Sequence, residues 1–255
     1  MIHDVQQNSE AWECLRRGRL TASEAGEWLV AEPKLTLTKS EICTELDRLQ
    51  TDYKKAAKVG DLAALLPPAI IQANQGFLKK DQEARQDTMC RMLGQELSTT
   101  INEEWAGNRF TDFGNAFEDE ACAAFEIQTG YTLKKVGFVT LDGFDYFGCS
   151  PDRYVYDDAG EPLGVLEVKC KPIEHSRIVI NGALPKEHRM QVHFQMAITG
   201  LDRAWFYAYS PDMKALTVEV PADEFTQRIL DALETFDRDY RAFRDLNLPK
   251  LKISA

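Results

Sequence analysis

The sequence predicts a mixed α/β (α+β) fold: a central mixed β-sheet flanked by helices, with a helical insertion. Three stretches carry that prediction. Residues 149–170 read as strand, turn, strand. Tyr154-Val155-Tyr156 ends one strand, residues 157–162 are dense in turn formers, and residues 163–168 are apolar enough for a buried strand. Phe113, Phe117, Ala121 and Phe125 recur every four residues, which makes one apolar stripe on a helix over 113–128. Phe225, Ile229, Leu233, Phe236, Tyr240 and Phe243 give the last long stretch an apolar face as well.

The remaining elements follow in chain order. Residues 9–18 read as a short helix closed by Gly18. Thr21, followed three residues on by Glu24, has capping-box spacing, so a second helix is expected from there to about Val30. The positive end of that helix, Ser23, and the nearby Arg16, Arg17 and Arg19 could cradle a phosphate. A plain capped helix with solvated arginines is the better account from the local sequence alone. Residues 38–105 are helical in pattern. Ser40 and Glu41 start one helix, Pro67-Pro68 interrupts, and a long polar helix spans about 69–97. Scaffold explains that region more simply than a lid does.

Glu118 sits at the edge of the 113–128 stripe, where a solvated carboxylate is the ordinary outcome. Gly130 closes that helix. Strands follow at 136–141 and 145–149, joined at Asp142-Gly143. Beyond Lys169 a loop bears His175, Arg177, Asn181-Gly182 and Pro185. A helix over 186–199 puts Gln191 and Gln195 on one face. A strand at 204–209 turns at 209–213 into a returning strand at 215–220, and Asp223 caps the last helix.

The chemistry lies in the 149–170 hairpin. Pro151-Asp152 is followed after fourteen residues by Glu167-Val168-Lys169. Alternate strand residues share a face, so Glu167 and Lys169 point one way and Val168 the other. If the two strands pair, Asp152 comes near that face. Two carboxylates and an ammonium would then hold a divalent cation and position a water. Mg²⁺ prefers oxygen ligands and takes one or two protein carboxylates beside waters and substrate phosphate. Lys169 would orient or deprotonate the water, or stabilise charge developing at phosphorus. The competing account is a surface hairpin with ordinary charges, since both short motifs occur by chance.

Composition narrows the classes. Hydrophobic residues make up 44% of the 255, enough for a sizeable core, and no apolar run is long enough for a membrane span. The first residues lack a signal-peptide pattern. The six cysteines form no CxxC pair, so reduced thiols in a cytoplasmic protein are expected. The four histidines do not suit a zinc enzyme. A net charge of −11 argues against generic coating of nucleic acid. A DNA enzyme would have to gather its basic residues in one groove, and its binding would need metal and weaken with salt.

The order helix with Glu118, strands, Asp152, strand with Glu167 and Lys169, helix with Gln191 resembles the PD-(D/E)xK restriction-endonuclease-like core. The resemblance goes further. Ala11-Trp-Glu-Cys-Leu-Arg-Arg-Gly, Leu20-Thr-Ala-Ser-Glu, Gly114-Asn-Ala-Phe-Glu, Cys149-Ser-Pro-Asp, Leu166-Glu-Val-Lys-Cys, Met190-Gln-Val and residues 204–213 occur in register. They look like the corresponding stretches of the family of phage lambda exonuclease and the YqaJ-type viral recombinases.

That resemblance implies a Mg²⁺-dependent 5′→3′ exonuclease on linear double-stranded DNA, releasing mononucleotides and leaving 3′ single strands for recombination. It implies two Mg²⁺ ions, with Mn²⁺ as a substitute. Asp152, Glu167 and the Val168 carbonyl would be metal ligands, and Glu118 would complete a second metal site. Lys169 would assist the water, and Gln191 would orient Lys169 or the water. Arg16, Thr21 and Ser23 match a pocket for the 5′-terminal phosphate, and Arg109 and Arg177 match further DNA contacts. A strand-splitting wedge falls at Thr111, with Phe110 adjacent. A homotrimer, a single-strand annealing protein as partner, and a bacterial cytoplasm with phage or prophage origin are implied too. The expected organisation is a single nuclease domain over 1–255. Its helical N-terminal part and insertion span about 1–110, its catalytic core about 111–220 and its C-terminal helix about 222–246. The rivals are an endonuclease of the same core and a non-catalytic DNA- or partner-binding module.

Overall fold

The structure, a computed structural model, describes residues 1–56, 58–98 and 109–252; for 109–115 and 172–173 it describes the backbone alone. The chain divides into two compact units, residues 1–29 with 88–255, and residues 30–87.

The larger unit opens with β1 (Ile2–His3) and α1 (Glu10–Arg16). Ser9 caps α1 by accepting from the Trp12 N–H, and Gly18 leaves it in the left-handed region at φ +71. No helix starts at Thr21. Leu20 and Thr21 instead form β2 (Leu20–Thr21), paired in parallel with residues Phe147 and Gly148. Half of the capping box forms: the Glu24 carboxylate accepts from the Thr21 N–H at 3.3 Å, and it also takes the Thr21 hydroxyl at 2.7 Å, while the Glu24 N–H donates to the Thr21 carbonyl. They close a single turn, and a short 3-10 helix follows at Glu27–Val30. Leu20 is fully buried as a strand residue, and that tertiary gain overrides a local helix signal that had still to meet the cost of nucleation.

The smaller unit holds β3 (Lys34–Leu35), α2 (Lys39–Arg48), α3 (Val59–Ala63), α4 (Pro68–Ala73), β4 (Gln75–Gly76) and the start of α5 (Lys79–Leu97). Thr38 and Glu41 make a full capping box on α2, and Ile42, Leu46, Leu62 and Leu66 form the core of the unit. The single helix expected over about 69–97 is two. Asn74 turns its side chain back to the Ile70 carbonyl, and residues 75–76 pair with 34–35 in a two-stranded antiparallel sheet. Gly76, a poor helix former, sits at that break.

The larger unit then continues as α6 (Arg109–Thr129), β5 (Thr132–Lys134), β6 (Phe138–Thr140), β7 (Phe147–Cys149), β8 (Arg153–Tyr156), β9 (Pro162–Lys169), α7 (Pro172–Asn181), α8 (Lys186–Thr199), β10 (Arg203–Ser210), β11 (Met213–Pro221) and α9 (Glu224–Leu251). A five-stranded sheet runs β11-β10-β9-β8-β5, with β9 and β10 parallel and the other neighbours antiparallel. The mixed sheet flanked by helices is thus present, joined by a four-stranded sheet β1-β6-β7-β2. One face of the larger sheet packs Val155, Leu166, Val168, Trp205 and Tyr207 against Ala121, Cys122 and Phe125 of α6. Phe113 of the expected stripe lies among the residues whose side chains are not described. Phe194 and Ile198 of α8 are buried too, and His188 of that helix stacks on Phe206 of β10.

The stretch after Lys169 is a helix rather than a loop. Pro172 takes the first helical position, where its missing N–H costs nothing, and Gly182 ends α7 at φ +62. His175 and Ile178, three apart on α7, are both buried. Asp223 caps α9 by accepting from the Phe225 and Thr226 N–H groups. Among the described residues no helix is long and apolar enough to cross a membrane.

Candidate active site

The ladder between β8 and β9 ends at the pair Arg153↔Leu166. One residue earlier, Asp152 stands beside the free edge of β9 and takes the Val168 N–H on Oδ2 at 2.6 Å. In a strand the N–H and C=O of one residue leave on the same edge. The Val168 carbonyl is therefore directed to the Asp152 side, while its side chain enters the core against α6.

Glu167 projects from the opposite face and is 1% exposed. Its Oε1 accepts from the Lys169 ammonium and, at 2.6 Å, from the Gln191 amide. Its Oε2 accepts from the Gln195 amide at 2.6 Å. The four-residue spacing on α8 sets both amides over this one carboxylate. Gln195 had no role in the sequence reading, although its place one turn after Gln191 was the available signal. Its Oε1 is buried without a hydrogen-bond partner among the described residues.

Charge follows from this packing. Burial raises the Asp152 pKa well above its ordinary value of 3.8, and repulsion from Glu167 adds to the rise. Burial works against the Lys169 charge, but Glu167 and Asp152 outweigh it and hold the ammonium above its usual pKa. Burial also lowers His188 to about 4, helped by Lys169. Cys122 and Cys170 are driven up to about 12 and about 11, chiefly by burial. These thiols are protonated at neutral pH and are poor metal ligands.

Glu118 does not join this carboxylate pair by direct contact. Its Oε1 accepts from Arg153 Nη1 at 2.6 Å. It remains close enough to push on the charges of Asp152 and Lys169. Among the described residues no three His, Cys, Asp or Glu side chains converge as a ready metal cage. A cavity of about 460 Å³ opens beside Asp152, Glu118 and Arg153, walled on its far side by residues 4–8. Gly137 lets that segment pass: a Cβ there would meet the Val5 carbonyl at 2.2 Å.

Arg16, Thr21 and Ser23 do come together. Arg16 Nη2 lies 3.3 Å from the Thr21 hydroxyl and 3.4 Å from that of Ser23, with the guanidinium 4.4 Å above the Trp12 ring. Burial, the largest influence, lowers the Arg16 pKa against an opposing pull from Glu24. The Trp12 indole N–H donates to the Ser150 hydroxyl at 2.8 Å, two residues before Asp152. Arg17 and Arg19 turn elsewhere, to the carbonyls of Ser98 and Leu15. Arg177 is exposed and pairs with Glu187 at 2.8 Å, apart from these contacts. The side chains of Arg109, Phe110 and Thr111 lie outside the described residues.

Comparison with known proteins bears on the fold and the family. The chain is similar to the alkaline exonuclease LHK-Exo from Laribacter hongkongensis, at 22% identity and a TM-score of 0.59, with 96% of this chain and 100% of that chain covered. It is similar to LHK-Exo in complex with dAMP at 21% identity and a TM-score of 0.60, over the same shares. At such identities the likeness is one of fold, here of the PD-(D/E)xK type. Among curated proteins there is no match. The model of the YqaJ-like viral recombinase domain matches residues 11–202, and the chain belongs to that family.

Proposed function

We propose that the chain is a Mg²⁺-dependent exonuclease that digests the 5′-ended strand of linear double-stranded DNA to mononucleotides, leaving 3′ overhangs for a single-strand annealing protein, and that it works as a homotrimer. The observation that carries the reading is the meeting of Asp152, Glu167 and Lys169 at the open end of the β8–β9 ladder. The family of viral recombinases and the similarity to alkaline exonucleases support the exonuclease part of it.

The donor set suits a hard cation. Asp152, Glu167 and the Val168 carbonyl offer oxygen only, and burial, with repulsion from Glu167, disfavours the Asp152 charge until a cation joins it. Mg²⁺, or Mn²⁺ in its stead, would supply charge neutralisation at the phosphate and a lowered pKa for the attacking water. Lys169, kept protonated by Glu167 and Asp152, is suited to donate to that water or to a phosphate oxygen. Gln191 and Gln195 hold Glu167 in one rotamer. Water attacks phosphorus and the bond to the 3′ oxygen of the terminal nucleotide breaks, so the shortened strand again ends in a 5′ phosphate. The Arg16, Thr21 and Ser23 cluster would grip that new end, which connects the two sites in one cycle.

Release of acid-soluble nucleotides from linear and from covalently closed circular duplex tests the reading. Digestion of the linear form alone, dependent on Mg²⁺ and lost in Lys169→Ala, is expected. Cutting of the closed circle would favour an endonuclease. Full activity of Lys169→Ala would remove the proposed centre.

A further inference from the structure

The Arg16, Thr21 and Ser23 cluster has a carboxylate at its back. Thr21 Oγ1 accepts from Arg16 at 3.3 Å and gives its own proton to Glu24 Oε2 at 2.7 Å. A guanidinium only donates and a hydroxyl has one proton, so the direction of both contacts is fixed. The Thr21 proton is therefore committed to Glu24. The other oxygen of that carboxylate, Oε1, lies 2.9 Å from Arg91 Nη1, and the two side chains are each about one-third exposed. Arg91 is held in place on α5. Its Nη1 also donates to Gln95 Oε1, one turn on, at 3.2 Å, and the same oxygen takes the Gly18 N–H at 3.2 Å. Met92 and Leu93 beside it are buried. The C-terminal half of α5 thus presents Arg91 to the carboxylate behind the cluster.

We propose that Arg91 is a positioning residue for the 5′ end of the DNA: it holds and neutralises Glu24, so that Thr21 can turn its hydroxyl to an incoming phosphate monoester. The proposal rests on the reading of the Arg16 cluster as the grip on that end, and it supplies the missing counter-charge. A phosphate monoester carries a charge of about −2 near neutral pH, and its oxygens want donors. Glu24, one hydroxyl away, repels it and competes for the Thr21 proton. The charged groups that act on Arg16 are Glu24, Glu13 and Arg91. Arg16 and Arg91 together balance the two glutamates. Without Arg91 the pocket would carry a net negative charge and would disfavour the dianion. Arg91 acts through Glu24 and need not touch the DNA.

The plainer account is that the Arg91–Glu24 pair only staples α5 to the segment after β2. The two accounts differ in what rescues a loss. Initiation rates are measured over a range of DNA-end concentrations, on linear duplexes that differ only in a 5′ phosphate or a 5′ hydroxyl. In Arg91→Ala the preference for phosphorylated ends should fall by about 10-fold, the loss appearing in KM for those ends rather than in kcat. The double variant Arg91→Ala/Glu24→Gln should recover the preference, because glutamine still accepts from Thr21 and carries no charge. Glu24→Gln alone should raise it. A wild-type preference in Arg91→Ala would overturn the proposal. So would a double variant no better than Arg91→Ala, which is the outcome of a staple. If circular dichroism shows Arg91→Ala unfolded, Glu24→Gln decides by itself, and a preference that does not rise overturns the proposal. Failure of the underlying reading looks different: Arg16→Ala would then keep the wild-type preference, whereas failure of the Arg91 proposal alone leaves the Arg16→Ala loss in place.

Discussion

Two polar clusters, joined by the short run from Trp12 through Ser150 to Asp152, are built in opposite ways. Glu167 is buried and held by three donors, two of them at 2.6 Å. Arg16 is half-buried, and its hydroxyl partners stand at 3.3 and 3.4 Å, near the limit of a hydrogen bond. The first cluster is fixed before any ligand arrives. The second has donors to spare and hydroxyls free to rotate. Chemistry needs a preorganised carboxylate, whereas a chain end that must be caught and let go each cycle is better served by loose contacts.

Three changes would break or sharpen that contrast. Gln195→Leu should cost the most, because it strips a donor from a buried carboxylate. Loss of an orienting partner of this kind typically lowers metal affinity or activity by about 10–100-fold. A Mg²⁺ titration of the digestion rate should show the shift, with the circular dichroism spectrum unchanged. Wild-type metal dependence would mean that Glu167 is held by Gln191 and Lys169 alone.

Arg16→Ala should act more gently and on a different quantity. Initiation on 5′-phosphorylated ends should fall by about 10-fold, the loss of one charge-assisted contact to phosphate. Initiation on ends bearing a 5′ hydroxyl should keep the wild-type rate. An unchanged ratio between the two ends would separate this cluster from the 5′ phosphate.

The smallest effect concerns pH. Asp152 has a folded pKa raised above its unfolded value near 3.8, so its own contribution to the stability of the metal-free protein is fully present below that value and is lost as pH rises through the raised pKa. The Tm of the wild type relative to Asp152→Asn should decline as pH rises from about 4 through the raised pKa, and added Mg²⁺ should remove the decline. His188 acts with the opposite sign. Its folded pKa, about 4, is below the unfolded 6.5, so its burial destabilises the protein as pH falls through that interval. His188→Phe, which keeps the stack on Phe206, should flatten that acid limb and leave the Asp152 limb in place.

What was legible in the sequence follows the range of the forces involved. The 186–199 helix, the hairpin around residues 157–162 and the Phe117, Ala121, Phe125 stripe were visible because their signals are periodic and local. The pairing of Asp152 with the β9 edge could be anticipated from alternation plus one assumption about strand pairing. Leu20-Thr21 was misread because a strand partner more than a hundred residues away outbids a capping box. The helix after Lys169 was hidden by Pro172 and Gly182, which read as loop residues until they are seen to occupy its two ends. Arg153 and Gln195 were in plain view beside residues already singled out. What they touch depends on how α6 and α8 lie across the sheet, which no local pattern encodes.

The hydrogen bond from Trp12 to Ser150 has a mechanical consequence for the proposed cycle. In that cycle the Arg16 cluster and Asp152 would be fastened to one another through Trp12 and the three consecutive residues 150–152. Such a part behaves as a ruler: the bite is set by bond lengths, and every stroke removes the same length of strand whatever bases it carries.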